Sequence, residues 1–332
     1  MLGHGPNLRL LTLSIIISRL SLTKDIVMPI KKLSKSLVCV GNWQLAHTNK
    51  IPNNYSVVRM SQSEIPVAIA WAKQEGWNPG LHDAQCFYNA DPHGFFAGKL
   101  DGKIIAVGAN VIYDNHFAFY GLYIVDPAYR GQGFGFALTR ALHDYAGTRN
   151  VGLDGVVAMQ KKYERLGYKF AYNNARYCGT CQFPVPTKTQ AIIPLSHVNF
   201  MQLTAYDRRH FPAPRDKFLR CWIHQKGSRS LAYCQNDTLL GYGVIRPCCL
   251  GFKIGPLFAD TPSIANELFL HLAHHANGQP FYLDIPECNP HAIDLVKRYT
   301  LEKVFETARM YLQSPPVIAV QQIYGITSFE LG

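Results

Sequence analysis

The feature that most restricts this chain is the stretch from Tyr123 to Gly135. An apolar run, Phe117 to Val125, fits a buried strand and stops at Asp126-Pro127. Gly131, Gly133 and Gly135 follow at alternate positions. Phe134, Ala137, Leu138, Ala141, Leu142 and Tyr145 then recur at spacings of three and four, the apolar face of a helix. The order is therefore strand, glycine loop, helix. Such a loop lets backbone N–H groups approach an anion with no Cβ in the way. The helix start adds unpaired donors and the positive end of a dipole. The chemistry this suits is a phosphate cradle; the plain alternative is a tight connection that binds nothing. Two nucleotide patterns fit poorly. A P-loop needs Gly-Lys-Ser/Thr after its glycines, where Phe136 and Ala137 stand. A dinucleotide site needs G-x-G-x-x-G and an acid about twenty residues on, whereas these glycines alternate and Asp154 falls at the entry to a later strand.

Arg130-x-x-Gly133-x-Gly135 after a strand ending Val-Asp-Pro resembles the acetyl-CoA pyrophosphate loop of the GNAT N-acetyltransferases. Tyr163-Glu164-Arg165-Leu166-Gly167-Tyr168 is similar to that superfamily's closing element, with one strand-like segment, 151–157, between the two motifs. The resemblance implies acetyl-CoA as co-substrate, no metal, and an amine acceptor that attacks the thioester directly. It assigns the CoA phosphates to Arg130, Gly131, Gln132, Gly133, Phe134 and Gly135. It assigns pantetheine and the thioester carbonyl to the main chain of Leu122, Tyr123, Ile124 and Val125, and the proton for the departing sulfur to Tyr163. A packed tyrosine is the other reading of Tyr163. The sequence departs from the pattern ahead of that helix, where many members have Asn and this chain has 158–162, Ala-Met-Gln-Lys-Lys. Asp83, Asp91, Tyr120, Tyr123 or a water remain open as the base.

Taken in order, Tyr55 to Met60 reads as a strand, and Ser61 or Ser63 as the cap of a helix carrying Ile65, Ala68, Ile69 and Ala72. Residues 81–92 read as a polar and aromatic connection. Asp101-Gly102 marks a hairpin between 95–100 and 103–113. After the loop and its helix come a strand at 151–157, the Tyr163 helix and a strand at 171–178. Pro184-Val185-Pro186-Thr187 reads as a linker. The second half repeats the first: hairpin strands flank Asn236-Asp237, a strand covers 252–259, and a helical face carries Ile264, Leu268, Phe269 and Leu272. Residues 163–177 and 296–311 both run from a helix end into a strand closing in Ala-Arg plus further residues, Ala175-Arg176-Tyr177 and Ala308-Arg309-Met310-Tyr311. A period near 130 residues means tandem domains. The resulting expectation is an α/β fold with mixed sheets: two GNAT-like domains, each a mostly antiparallel sheet flanked by helices. They are expected at 55–183 and 191–332, joined by a linker at 184–190. The Trp77-Asn78-Pro79-Gly80 turn and the final Thr327-Ser328-Phe329-Glu330-Leu331-Gly332 are also similar to tandem members of that superfamily. In the second half Asp260-Thr261-Pro262-Ser263-Ile264-Ala265 replaces the glycine loop. That half is expected to bind no cofactor and to wall the acceptor pocket, with Tyr282, Asp284 and Glu287 as lining candidates.

Lys and Arg number 33 against 22 Asp and Glu, a net charge of +11 over 332 residues. The excess alone would suggest nucleic acid or a membrane surface, but seven of the cations, against one acid, fall in residues 1–50. The remainder suits an anionic cofactor rather than DNA. The apolar segment Leu8 to Leu20 is too short to span a bilayer. Residues 1–54 are expected to be a disordered or dispensable leader, whether a signal core, a transit peptide or a start upstream of the natural Met28. Nine cysteines show one isolated Cys178-x-x-Cys181 and an adjacent Cys248-Cys249, no metal framework. Free, mostly buried thiols in a reducing, cytoplasmic setting are the expectation, and His274-His275 reads as surface. The expected function is N-acetyl transfer to a small amine or peptide; the competing class is an acyl-CoA-binding sensor without turnover. A homodimer is left open.

Overall fold

In this computed structural model the chain is described over residues 51–187 and 189–332; the expectations for residues 1–50 lie outside the described residues. The first half runs β1 (Tyr55–Arg59), α1 (Ile65–Gln74), α2 (Asp83–Ala90), β2 (Phe95–Leu100), β3 (Lys103–Ile112), β4 (Phe117–Val125), α3 (Phe134–Ala146), β5 (Asn150–Val156), α4 (Gln160–Arg165) and β6 (Lys169–Thr180). The second runs β7 (Ile192–Pro194), α5 (Phe200–Asp207), α6 (Asp216–Trp222), β8 (Arg229–Gln235), β9 (Thr238–Pro247), β10 (Phe252–Ala259) and α7 (Pro262–Ala273). It closes with β11 (Pro280–Pro286), α8 (Pro290–Arg298), β12 (Glu302–Tyr311) and β13 (Ile323–Gly325). It is a mixed α/β fold. Among the described residues no helix is long and apolar enough to cross a membrane.

Local chemistry accounts for most of these elements. Ser61 and Glu64 form a capping box just ahead of α1. Asp101 and Gly102, and Asn236 and Asp237, adopt positive φ at the tips of the β2–β3 and β8–β9 hairpins, as two-residue turns of the right twist require. One expectation fails. Residues 81–92 are not an open connection, because Asp83–Ala90 is helical and buries Asp83, Cys86 and Phe87. Its apolar side is short, and its partner is α6, more than 130 residues away, where Phe87 stacks on Trp222. The expectation of free thiols fails at the same contact: Cys86 of α2 and Cys221 of α6 are bonded to each other. The other described cysteines are free.

The sheets of the two halves join into one, in the order β1-β2-β3-β4-β5-β12-β6-β11-β10-β9-β8-β7. Among the described strands only β4–β5 and β10–β11 pair in parallel. Each half gives its last strand to the other: β12 pairs with β5, β6 pairs with β11, and the two exchanged strands pair with each other. The repeated Ala-Arg residues lie on these strands. Arg309 faces Asp154 across β12–β5, and Arg176 faces Asp284 across β6–β11. Both pairs are two-pronged, with N–O distances of 2.6 to 2.8 Å. Burial raises the cost of the Asp284 charge, yet the Arg176 charge and its hydrogen bonds outweigh it and hold the carboxyl below the usual range. The exchange therefore buries two ion pairs, each with one partner from either half.

The chain then returns to the first half. Residues 323–332 are buried throughout. Tyr113 donates its hydroxyl to the Leu331 carbonyl at 2.9 Å, and Leu331 N–H is held by Ser328 Oγ at 3.1 Å. The Glu330 carbonyl lies against Gly121 of β4 so closely that a Cβ there would stand 1.8 Å from it. The main core runs through both halves accordingly, with Leu122 and Ile124 sharing it with Trp222, Phe329 and Leu331.

Candidate active site

Strands β4 and β5 pair from Phe117–Asn150 to Tyr120–Leu153 and then part. At the parting point β4 carries an extra residue against β3, since Ala109 faces Gly121 but Val107 faces Ile124. Leu122 takes up the excess at φ +49, a left-handed conformation tolerated where a bulge is held by its surroundings. The gap opens into a cavity of about 940 Å³. Its walls are β4 from Tyr120 to Val125, β5, α4, the start of α3, β12 and the C-terminal tail.

Eight of the ten cofactor residues expected from the sequence line this cavity: Leu122, Tyr123, Ile124, Val125, Arg130, Gly131, Gly133 and Gly135. Gln132 and Phe134 do not. Gln132 donates Nε2 to the Ala128 carbonyl, and Phe134 is buried against Tyr55 and Tyr129. Gly131 and Gly133 sit at φ +77 and +93, conformations that glycine adopts without strain. Gly135 has another reason: a Cβ there would be 2.2 Å from the Tyr123 hydroxyl, so helix and strand could not pack. Among the described residues nothing accepts the N–H groups of residues 131–135, which leaves five donors in a row at the head of α3. Arg130 holds the Val125 carbonyl through Nε at 2.8 Å and pairs with Glu75. Lys162 and Arg165 also line the mouth, so cations outnumber Glu75 there.

Tyr163 lies against Gly155, where a Cβ would meet its ring at 2.4 Å, and Tyr168 packs edge-on to it. Its hydroxyl has no hydrogen-bond partner among the described residues. Burial, with the Tyr123 phenol second, pushes its pKa well up, so the phenol is protonated at neutral pH. Burial likewise raises Tyr120 and Tyr123, and Tyr120 shares a hydrogen bond with Thr139 at 3.2 Å.

The carboxylates considered as a base are elsewhere. Asp83 is fully buried in a two-pronged pair with Arg246, and Asp91 accepts from Tyr145 and the Ile112 and His93 amides. Neither lines the cavity. The lining proposed for the second half is also corrected. Asp284 is spent on Arg176 and Glu287 pairs with Lys303; Phe305, Thr307, Phe329 and Glu330 face the cavity instead. Sequence reasoning missed Glu330. Its place in the final Thr-Ser-Phe-Glu-Leu-Gly was visible, but no spacing ties that segment to a strand 200 residues earlier. In the second half the turn matching the glycine loop is closed by its own side chains. Thr261 Oγ1 caps Ile264 N–H, while Asp260 accepts from Tyr206 at 2.8 Å and pairs with Arg209 at 3.1 Å.

Two family models match the chain, one for the acetyltransferase (GNAT) family over residues 63–168 and one for an acetyltransferase (GNAT) domain over residues 203–325. The chain belongs to the GNAT acyltransferases, as a tandem member. The tandem GNAT protein is 29% identical to the holothin acyltransferase of a Pseudoalteromonas species, over 82% of this chain and 92% of that one. It is 26% identical to the uncharacterised N-acetyltransferase YitH of Bacillus subtilis, over 83% and 98%. A solved structure from Pyrococcus horikoshii assigned as an acetyltransferase superposes with a TM-score of 0.72 at 22% identity, covering 87% of this chain and all of that one. A tandem GNAT protein from the clavulanic acid pathway superposes at 0.56 with 11% identity, covering 79% and 99%. These last two likenesses establish the fold.

Proposed function

We infer that the protein transfers the acetyl group of acetyl-CoA to the amine of a small molecule or peptide, by direct attack within a ternary complex. The observation that carries this reading is the row of five unpaired N–H groups at residues 131–135, whose Gly131, Gly133 and Gly135 line the cavity beside the stretch of β4 that no longer pairs with β5. On this reading the first half, 55–183, holds the cofactor. The N–H row and Arg130 take the pyrophosphate, with Arg130 exchanging Glu75 for phosphate. The stretch 122–125, unpaired with β5 though the Val125 carbonyl is held by Arg130, pairs with pantetheine as a further strand would, and the bulge at Leu122 turns an amide toward the thioester oxygen. The neutral amine nitrogen bonds to the carbonyl carbon, the C–S bond breaks, Tyr163 gives its proton to the sulfur, and the proton shed by the nitrogen restores the Tyr163 phenol through solvent. The second half, 191–332, serves as a wall: its strand β12 and its tail close the side of the cavity opposite the glycine loop. Support for turnover rather than sensing comes from the acyltransferase relative, aligned over most of both chains.

The test begins with Gly133→Val. A β-branched residue at φ +93 is strained, and its side chain crowds the donors. Calorimetry should show CoA binding lost while circular dichroism keeps the wild-type spectrum. Unchanged affinity in a folded variant removes the cradle from the mechanism. Mass spectrometry of an amine panel incubated with acetyl-CoA separates the classes, because a protein that binds acetyl-CoA and acetylates nothing is a sensor.

A further inference from the structure

Among the described residues Glu330 stands apart from every other buried acid. It is 3% exposed, and neither carboxyl oxygen has a hydrogen-bond partner among the described residues. The other acids with buried side chains, Asp83, Asp91, Asp154, Asp207 and Asp284, all accept hydrogen bonds. Burying a carboxylate without a partner is costly, and Glu330 lines the candidate acetyl-transfer cavity next to the point where β4 and β5 part. Its backbone is fixed there by Gly121 and by the Tyr113 bond to Leu331. Two cations sense its charge, Arg176 on β6 and Lys253 on β10, yet neither forms an ion pair with it. Arg176 is committed to Asp284 and to the Trp77 carbonyl, and Lys253 Nζ has no hydrogen-bond partner among the described residues. The cavity lining also includes Trp77, Leu122, Ile124, Phe305 and Phe329, and the Arg176 guanidinium already stands over the Phe305 and Phe329 rings.

We propose that Glu330, carried in by the C-terminal tail of the second half, receives the acceptor amine and takes its proton, and that the acceptor is an amine borne on an aromatic or flat apolar body. This rests on the acetyl-transfer reading above. An ammonium ion supplies the donors that the carboxylate lacks, and Trp77 with the apolar Leu122 and Ile124 in the lining gives a flat hydrophobic body a surface to pack on. The ammonium gives one proton to Glu330, which later releases it to solvent. The neutral nitrogen then bonds to the thioester carbon as the C–S bond breaks. Tyr163 protonates the sulfur, and the second nitrogen proton returns to the Tyr163 phenolate through solvent. The products are amide, CoA thiol and one proton.

The probes are 2-phenylethylamine and 2-phenylethanol, alike in shape but differing in charge. Calorimetry with the full chain, with and without CoA, should show the amine bound at least about tenfold more tightly than the alcohol. The isosteric Glu330→Gln variant should bind the two alike while keeping wild-type CoA affinity, and its turnover of 2-phenylethylamine should fall about 10²-fold or more. An amine bound no better than the alcohol by the wild type, or an amine preference that survives Glu330→Gln, overturns the proposal. If the wild type binds no CoA but still prefers the amine, the acetyl-transfer reading fails and the ammonium site stands.

Discussion

Gly121→Ala tests whether the C-terminal tail is seated where the cavity needs it. The added Cβ would stand 1.8 Å from the Glu330 carbonyl oxygen and 2.8 Å from its carbon, both backbone atoms. Real Cβ contacts stay beyond 3.0 Å, so tail and strand must separate by more than 1 Å. Overpacking of this kind costs about 1–3 kcal/mol. Letting the tail go instead exposes Phe329 and Leu331, at about 1.5–3 kcal/mol each, so the fold accepts the strain first. At about 2–4 °C per kcal/mol for a large domain, Tm should fall by roughly 2–12 °C. The effect on chemistry is larger, because a catalytic group displaced by about 1 Å can lose 10²-fold in rate. Scanning fluorimetry reads the first quantity, and release of CoA thiol in the presence of an accepted amine reads the second. CoA affinity serves as the control and should fall far less than turnover, since the glycine loop that takes the pyrophosphate is untouched even though residues 122–125 follow the substituted position. Deleting Leu331 and Gly332 removes the Tyr113 and Arg215 anchors and should reproduce the loss of turnover. A Gly121→Ala protein with wild-type Tm and kcat would refute this account of the tail.

Three further outcomes are expected. Tyr163→Phe should lower kcat by about 10²-fold with CoA affinity unchanged in calorimetry; wild-type turnover reduces Tyr163 to packing. Arg176→Met leaves Asp284 buried without either of its side-chain hydrogen-bond donors and should cost about 3–5 kcal/mol in urea unfolding, whereas Arg176→Met with Asp284→Leu should recover most of it; equal losses in the single and double variants argue against a structural ion pair. Burial pushes His210 down to about 4, below its ordinary unfolded value of about 6.5. The unfolded chain therefore binds more protons between those pH values, so the contribution is complete above about pH 6.5 and is lost as pH falls toward 4. At pH 5 that is on the order of 2 kcal/mol, and His210→Gln should flatten the stability profile by that amount; parallel profiles for the two proteins would contradict it.

Much of the site could be read from the chain because its signals are local. A strand ending in Asp-Pro, three alternating glycines and an apolar helical face lie within thirty residues, and backbone geometry alone dictates strand, loop and helix. Tyr163 was legible for the same reason, since a short helix carries it directly after β5. The hairpins at Asp101-Gly102 and Asn236-Asp237 followed from residues that tolerate positive φ. The duplication was visible as Ala175-Arg176 and Ala308-Arg309 at matching places in each half.

What the tertiary structure decided is the choice among partners that are locally equivalent. Both final strands carry an arginine, and both inner strands, β5 and β11, carry an aspartate after leucine. Either arginine could serve either aspartate, and no periodicity says which. The topology settles it by exchanging the strands, so each pair closes across the halves. Helix α2 escaped notice because its short apolar side is completed by α6, far along the chain, and Asp83 looked available because Arg246, 163 residues away, is invisible to any local pattern. Glu330 follows the same rule. By itself it is an acid near a chain end, which ordinarily faces water. It becomes a buried carboxylate beside the cavity because Gly121 lacks a side chain and the tail of the second half occupies that space.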